Sequence, residues 1–304
     1  MHSKKLLVII VAYNSMPWIE KCYKSLRQST VPCDVITIDN GSSDNTLEYL
    51  EKNFPEVEVI KTDRNLGFGK ANNIGLQKAL DEKYEYVYLL NQDAWVKPNT
   101  FEKLIETSKR HPEYGILSPM QMQADMKHLD FGFINMTTRN PQRNCPILIE
   151  DLFFNRIAEV YDVPFVNASH WLLTQNCIKI VGGFSPAFSQ YGEDNNYIDR
   201  ALYNKQKVGI VPTALAIHDR SDKIWSKEKN EYVSYYSCKL AELSNPFHRP
   251  RVIKIVYELI KYAIKNHNKN IFRYAIRILK ERKIINSCYG ESYKKCAFLN
   301  EPIS

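Results

Sequence analysis

The residues best suited to chemistry fall in short polar clusters. Three clusters each follow an apolar, strand-like run: Tyr13-Asn14-Ser15, residues 39–44 (Asp-Asn-Gly-Ser-Ser-Asp) and Asn91-Gln92-Asp93. Two later candidates are the adjacent carboxylates Glu193-Asp194 and the imidazole of His218. Carboxylates and imidazoles move protons and bind divalent cations. Each cluster alone also suits a turn or a helix cap, so its meaning depends on whether the fold brings the clusters together.

The first 120 residues alternate between strand-like and helix-like patterns. Apolar runs predict strands over Leu6–Val11, Val35–Ile38, Val57–Ile60 and Tyr86–Leu90. Apolar residues three or four apart predict helices after Pro17, after Ser43 or Asp44, over 70–81 and over Asn99–Arg110. This series predicts an α/β fold with a mostly parallel sheet flanked by helices. Ligands bind beyond the carboxyl ends of such strands, where the three clusters should meet.

The pattern changes beyond residue 120. Residues 121–165 are irregular and predict a loop-rich insertion. Strands are expected at Trp171–Leu173 and Val208–Ile217, with helices ending at Gly182-Gly183 and over Asp194–Asn204. After residue 226, apolar residues at helical spacing predict helices to the end of the sequence.

Composition excludes wholesale disorder. The 304 residues are 44% hydrophobic and 25% charged, which is ordinary for a globular protein. The apolar run Lys5–Ala12 is too short to span a bilayer and fits a buried strand better than a signal peptide. Seven cysteines without a CxxC pair predict reduced thiols and a cytoplasmic location.

The charge is concentrated in the C-terminal part. Residues 226–304 hold 16 of the 41 Lys/Arg and 7 of the 34 Asp/Glu. A solvated helical face, a dimerisation arm and a peripheral contact with an anionic membrane all remain open. Nucleic acid is not an expected partner, because no nucleic-acid-binding motif accompanies the charge.

Several motifs in one order resemble glycosyltransferase family 2, in particular its rhamnosyltransferase-like bacterial members. They are residues 9–14 (IIVAYN), 38–44 (IDNGSSD), 65–75 (NLGFGKANNIG), 89–93 (LLNQD), Gly182-Gly183-Phe184, Glu193-Asp194 and Asp199-Arg200. The resemblance covers residues 4–225 and implies the GT-A fold and sugar transfer with inversion. It divides the chain into a catalytic domain, 1–225, and a basic helical region, 226–304. Within the catalytic domain, 1–120 would bind the nucleotide sugar and 121–225 the acceptor.

The resemblance also implies a donor site. Asp39 can accept a hydrogen bond from the imide N–H of a nucleotide base, and strand-end residues can form the wall beside it. The glycines of 65–75 let backbone approach a ligand closely. The predicted nucleotide-sugar contacts are Ala12, Tyr13, Asn14, Asp39, Asn40, Asn65, Gly67, Asn73, Asn91 and Gln92.

A metal site is implied at Asn91-Gln92-Asp93, where family members carry an Asp-x-Asp motif. Asp93 and His218 are the predicted ligands of Mn²⁺ or Mg²⁺. Asn91 replaces the first carboxylate, so the protein alone should bind the cation weakly, and a metal-independent variant stays open.

The catalytic base is expected at Asp194, with Glu193 orienting donor or acceptor. An inverting transfer needs one carboxylate to take the proton of the attacking hydroxyl. A cap for the following helix is the structural alternative for Asp194.

The predicted function is therefore transfer of a sugar from a UDP- or dTDP-sugar to a saccharide or lipid-linked acceptor in surface polysaccharide or lipopolysaccharide assembly. The expected location is cytoplasmic, and both a peripheral contact with the inner face of the cytoplasmic membrane and a homodimer stay open. Two rival hypotheses are a sugar nucleotidyltransferase and a non-catalytic nucleotide-sugar binder. The first needs a basic, glycine-rich loop after the first strand, which residues 13–17 lack.

Overall fold

The computed structural model describes residues 5–139, 144–220 and 226–300. The described strands are β1 (Leu6–Ala12), β2 (Asp34–Asp39), β3 (Glu58–Lys61), β4 (Tyr86–Asn91), β5 (Ala94–Val96), β6 (Tyr114–Met122), β7 (Tyr161–Asp162), β8 (His170–Thr174) and β9 (Lys207–His218). They form one sheet in the order β3-β2-β1-β4-β8-β6-β9-β5, with β7 paired to β9.

The helices lie between and after these strands. They are α1 (Ile19–Arg27), α2 (Thr46–Asn53), α3 (Phe68–Asp81), α4 (Thr100–Arg110), α5 (Phe131–Ile134), α6 (Pro146–Phe153), α7 (Gln175–Val181), α8 (Glu193–Tyr203), α9 (Lys227–Tyr232), α10 (Cys238–Ser244), α11 (Val252–Lys265) and α12 (Lys269–Glu291). Turns of π-helix extend α5 over Asn135–Arg139 and α9 over Val233–Ser237.

The first half of the sheet is parallel, as predicted. β1 lies between β2 and β4, and β2 pairs with β3, all in the same direction. The side chains of β1 are divided between two cores, because Leu7 and Ile9 join the cluster on one face and Leu6, Val8 and Ile10 join the other. Burial on both faces explains why this strand is a continuous apolar run.

The second half of the sheet is mixed. β8 is antiparallel to both β4 and β6, while β6 and β9 are parallel. β9 therefore runs in the direction of β1, so His218 ends at the same sheet edge as Ala12, Asp39 and Asn91. Six of the nine described strands share this direction, which confirms the predicted mostly parallel GT-A-type sheet.

The predicted irregularity of residues 121–165 is partly wrong. β6 runs on to Met122, and α5, α6 and β7 follow within this stretch. Gly115, Ser118 and Pro119 interrupt the apolar pattern of β6 in the sequence, yet the whole strand up to Gln121 is buried. Residues 140–143, in the predicted insertion, lie outside the described residues.

The C-terminal helices form a third core and then return to the sheet domain. Leu259 of α11 and Ile278 of α12 share this core with Phe188 of the catalytic half. After α12 the chain packs onto the sheet domain, where Leu299 joins its core and Gly183 donates its N–H to the Ala297 carbonyl at 2.7 Å. The boundary predicted at residue 225 stays a prediction, and these contacts join the two sides of it.

Along the described ranges, no helix combines the length and apolar character that crossing a membrane requires.

Candidate functional site

The loops after β1 and β4 are tied together at the sheet edge. Tyr13 donates its N–H to Oε1 of Gln92 at 2.6 Å, and Nε2 of Gln92 donates to the Tyr13 carbonyl at 3.1 Å. Asn14 has a positive φ of 51°, and its Oδ1 accepts the Ser43 N–H at 2.8 Å. The loops at the ends of β1, β2 and β4 therefore hold one another in place.

Asp39 and Asn40 connect β2 to the glycine-containing loop before α3. Oδ1 of Asn40 accepts the Leu66 N–H at 2.7 Å, and its Nδ2 donates to Oδ1 of Asn65 at 3.0 Å. Asp39 is buried, and its Oδ2 accepts the Ser42 N–H at 3.2 Å. Its Oδ1 is buried without a hydrogen-bond partner among the described residues. This oxygen is available for a donor N–H such as that of a nucleotide base.

The glycine loop also contacts the segment that carries the predicted base. Gly67 has a φ of +82°, and a Cβ there would lie 2.3 Å from the Ser189 carbonyl oxygen. A Cβ on Gly69 would lie 3.7 Å from Cβ of Glu193 and 2.8 Å from that of Phe184. These positions allow α3 and the start of α8 to approach closely, so Glu193 lies beside the predicted donor loop.

Asn73 makes structural contacts. Its Oδ1 accepts the Phe184 N–H at 2.7 Å, and its Nδ2 donates to the Phe184 carbonyl at 2.9 Å. The same Nδ2 lies 3.4 Å from the Phe298 carbonyl. Its predicted donor contact stays a prediction, and the amide holds together segments 111 residues apart.

Asp93 and His218 meet at the sheet edge. Nε2 of His218 lies 3.5 Å from Oδ1 of Asp93, and both side chains are almost fully buried. The strands keep this spacing, because the Asp93 carbonyl accepts the Asp219 N–H at 2.8 Å and β5 pairs with β9. Burial lowers the pKa of His218, which keeps the imidazole neutral near pH 7.

The pair fits a weak divalent-cation site. Oδ1 of Asp93 and Nε2 of the neutral imidazole can share one ion at this separation once Nε of Arg220, which donates to Nε2 at 3.2 Å, moves away. Asn91 adds a neutral oxygen, Oδ1, which is buried without a hydrogen-bond partner among the described residues. The described residues contain no group of three or more His, Cys, Asp or Glu side chains that could hold an ion. The remaining ligands would have to come from the substrate.

Glu193 and Asp194 open α8 in different environments. Glu193 is buried, and this burial, with the charge of Asp194 adding to it, raises its pKa to about 8. Its Oε2 has no hydrogen-bond partner among the described residues. Asp194 is partly exposed, and its Oδ1 accepts the N–H of Asn195 at 2.8 Å. Gly192, in the left-handed conformation, is the N-cap of α8, so Asp194 is not the cap.

Unsatisfied polar atoms concentrate at the predicted residues. The described residues contain six buried side-chain oxygen or nitrogen atoms without a hydrogen-bond partner. Four of them belong to residues predicted to bind donor or metal or to take part in catalysis: Asp39, Asn91, Glu193 and His218. Buried polar groups are normally paired, so this concentration makes these residues the candidate ligand site.

Three residues around His218 were missed by sequence reasoning. Nε of Arg220 donates to Nε2 of His218 at 3.2 Å, and the Asp130 carboxylate is close enough to act on the same imidazole electrostatically. His170, whose pKa burial lowers to about 3, bonds the Ile217 carbonyl at 3.0 Å and supports the end of β9. Only Arg220 had a sequence signal, its place two residues after the predicted ligand.

The aromatic residues near Glu193 are core residues. Trp171 stacks on Phe184 with ring centroids 6.2 Å apart, and Tyr197 packs on both. Arg200 braces this core by donating from Nη1 to the Val181 carbonyl at 2.7 Å. These side chains are buried, so they form the support of the site rather than a platform for a sugar.

An open groove of about 630 Å³ lies among the C-terminal helices. Tyr235, Tyr262 and Asn268 are among its lining residues, and none of the predicted site residues lines it.

Known proteins resemble this chain in sequence. The profile described as glycosyl transferase family 2 matches residues 7–155. The N-acetylglucosaminyl-diphospho-decaprenol L-rhamnosyltransferase of Mycobacterium tuberculosis is 25% identical over 241 residues, which are 71% of this chain and 76% of the relative. The amylovoran biosynthesis glycosyltransferase AmsE of Erwinia amylovora is 29% identical over 233 residues, 73% of this chain and 80% of the relative.

Solved structures share the fold at low identity. Residues 1–349 of Staphylococcus aureus TarS, in complex with UDP, superpose with a TM-score of 0.54 at 17% identity, over 83% of this chain and 68% of that one. GalNAc-T7 with UDP, GalNAc and Mn²⁺ gives a TM-score of 0.58 at 15% identity, over 93% of this chain and 58% of that one. The motifs, the GT-A sheet and these sequence matches together assign the chain to glycosyltransferase family 2.

Proposed function

We propose that this glycosyltransferase moves a hexose, with inversion, from a UDP- or dTDP-sugar to a hydroxyl of a saccharide or lipid-linked acceptor. The observation that carries the proposal is the concentration of unpartnered buried polar atoms at Asp39, Asn91, Glu193 and His218. One relative is named for a diphospho-decaprenol acceptor and the other for amylovoran biosynthesis, which supports a lipid-linked or saccharide acceptor. We extend this to surface polysaccharide or lipopolysaccharide assembly on the cytoplasmic side of the membrane.

The proposed reaction divides its tasks along the sheet edge. Asp39 accepts the imide N–H of the base, and the 65–69 loop approaches the sugar diphosphate. Asp194 takes the proton of the acceptor hydroxyl, whose oxygen bonds the anomeric carbon as the bond to the diphosphate breaks. Glu193, beside Gly69, orients the sugar. A divalent cation held by Asp93 and His218, with Asn91, would neutralise the leaving diphosphate when bound.

Donor binding tests the first part of this proposal. Unfolding midpoints measured with UDP-, dTDP- and GDP-sugars, with and without Mn²⁺, should rise most for a UDP- or dTDP-sugar, because a ligand of the folded state stabilises it. Asp39→Asn should lose most of this rise, since a hydrogen bond to a charged group is worth roughly 1.5–3 kcal/mol. A rise that is equal for all bases and for Asp39→Asn would contradict the assigned base site.

Product analysis tests the second part. Incubating the donor that binds with oligosaccharide or lipid-diphosphate acceptors should release nucleoside diphosphate and form a glycoside of inverted configuration. Pyrophosphate release from a sugar phosphate and a nucleoside triphosphate would instead support nucleotidyl transfer. Donor binding without any donor breakdown, with or without Mn²⁺, would support the non-catalytic alternative.

A further inference from the structure

The outer face of α11 carries large apolar side chains in water. Ile253, Tyr257 and Ile264 are each 66% exposed, and the half-buried Ile260 lies between them. At about 100° per residue these four side chains share one stripe along the helix. The opposite face, with Ile255, Val256 and Leu259, packs into the C-terminal core. The exposed stripe is therefore additional to what the fold needs for its own packing.

Basic side chains border this stripe. Lys254, Lys261 and Lys265 are exposed on α11 along one side of it. The helix α12, which shares a core with α11, exposes four more cations: Lys269, Arg273, Lys280 and Lys283. Residues 251–284 contain ten Lys/Arg and two Asp/Glu. None of these seven cations is bonded to a described carboxylate, whereas Arg277 pairs with Glu281 at 2.9 Å.

We propose that the α11–α12 face, defined by these exposed apolar and basic residues, docks onto an anionic phospholipid surface. An apolar stripe beside a basic band is the pattern of a helix that lies in the interfacial plane of a membrane. A second copy of the chain is a poorer occupant, because it would bring the same positive charge against this face.

A second exposed apolar patch, on and after α6, lacks the basic band. Phe153 is 82% exposed and Ile147 is 56% exposed. The nearby carboxylates Asp151 and Glu159 pair with Arg156 and Arg110, and Glu150 adds a further negative charge, so this region offers an anionic surface no excess of positive charge. Charge complementarity therefore favours α11–α12 over α6 as the docking face, and α6 supplies a matched control.

Docking would fix the orientation of the enzyme. The core beneath α11 and α12 includes Phe188, five residues before Glu193, so these helices pack against the loop that leads into α8. The inference does not depend on the proposed donor or on sugar transfer, and it is measured without turnover.

Vesicle sedimentation with the full chain tests the proposal. The protein should pellet with phosphatidylcholine vesicles that contain phosphatidylglycerol, and added salt should weaken the binding. Lys254→Gln with Lys261→Gln and Lys265→Gln should weaken it by roughly 10- to 100-fold, since each lysine near an anionic surface contributes on the order of 1 kcal/mol. Ile253→Ser with Tyr257→Ser and Ile264→Ser should abolish the part of the vesicle binding that persists at high salt.

Matched controls distinguish binding through the α11–α12 face from nonspecific electrostatic or hydrophobic binding. Lys52→Gln with Lys83→Gln and Lys109→Gln removes three exposed lysines elsewhere, and Ile147→Ser with Phe153→Ser removes exposed apolar groups from the α6 region. Both should leave binding within about threefold of the parent, because neither set belongs to the basic band. Equal losses in the control variants, no pelleting by the parent, or a dimer that the α11 changes dissociate without vesicle binding would each overturn the proposal. An unchanged unfolding midpoint shows that a variant is folded.

Discussion

The polar side chains on the two sides of the candidate site differ in their hydrogen bonding. On the nucleotide side, Asn14, Asn40 and Asn65 bond one another or the neighbouring loop backbone. On the side of the predicted chemistry, Asn91, Glu193 and His218 each bury a polar atom that has no partner in the described residues. The asparagines of the first side form a frame that is paired without ligand, and only Oδ1 of Asp39 is left unpartnered there among the described residues; the second side keeps three such atoms, at a cost in stability. Changes to the two sides should therefore separate stability from catalysis.

The largest effect is expected on the catalytic side. Asp194→Ala should lower turnover by about 10²–10⁴-fold, because it removes the proposed proton acceptor. Donor binding, measured by calorimetry, should persist. Asp81→Ala, which removes an exposed carboxylate at the end of α3, serves as the control. Turnover near that of the parent would exclude Asp194 as the base.

A smaller effect is expected at the predicted metal pair. His218→Ala should weaken the Mn²⁺-dependent part of donor binding by about 10- to 100-fold, the range seen when the surroundings of a metal site are disturbed. His128→Ala, at an exposed histidine paired with Asp125, is the matched control. Donor affinity that does not respond to Mn²⁺ in the parent would show that Asp93 and His218 form a structural pair.

Loss of the Asn73 amide should reduce stability rather than turnover. Asn73→Ala removes both contacts with the Phe184 backbone and should lower the free energy of unfolding by about 1–3 kcal/mol. Denaturant titration measures this loss. The kcat of the folded variant should stay within a few fold of the parent; a large loss of donor affinity at unchanged stability would instead support the predicted donor contact.

The smallest effect is a pH dependence at Glu193. Its pKa rises from 4.5 to about 8 on folding, so the folded state holds the proton more tightly and stability falls as pH rises through this window. Glu193→Gln lacks this titration. The unfolding midpoint of the variant minus that of the parent should therefore increase by a few °C from about pH 5 to about pH 8. A difference that does not change with pH would show that Glu193 is charged in the folded protein.

The sequence was most informative where a buried strand ends in polar residues. The apolar runs of β1, β2 and β4 placed Ala12, Asp39 and Asn91 at one edge, and the structure confirms that edge. The sequence pattern does not predict which distant strands pair. Periodicity says nothing about β8 entering between β4 and β6, and only this arrangement places His170 beneath His218 with ring centroids 6.2 Å apart.

Amides were the least predictable side chains. Asn40, Asn73 and Asn91 have the same chemistry in the sequence, yet two of them bond protein backbone and one leaves Oδ1 unpartnered. The difference depends on which segment packs against each amide. For Asn73 these are residues 184 and 298, which no local pattern relates to it.

The return of residues 296–300 to the sheet domain has a consequence for how the protein is made. A nascent chain exposed only as far as residue 295 lacks Leu299 in its core and the Ala297 carbonyl that accepts from Gly183. It also lacks the Phe298 ring, whose centroid lies 5.1 Å from the Arg200 guanidinium. The segment leading to α8 therefore gains these contacts only after residues 296–300 have been synthesised.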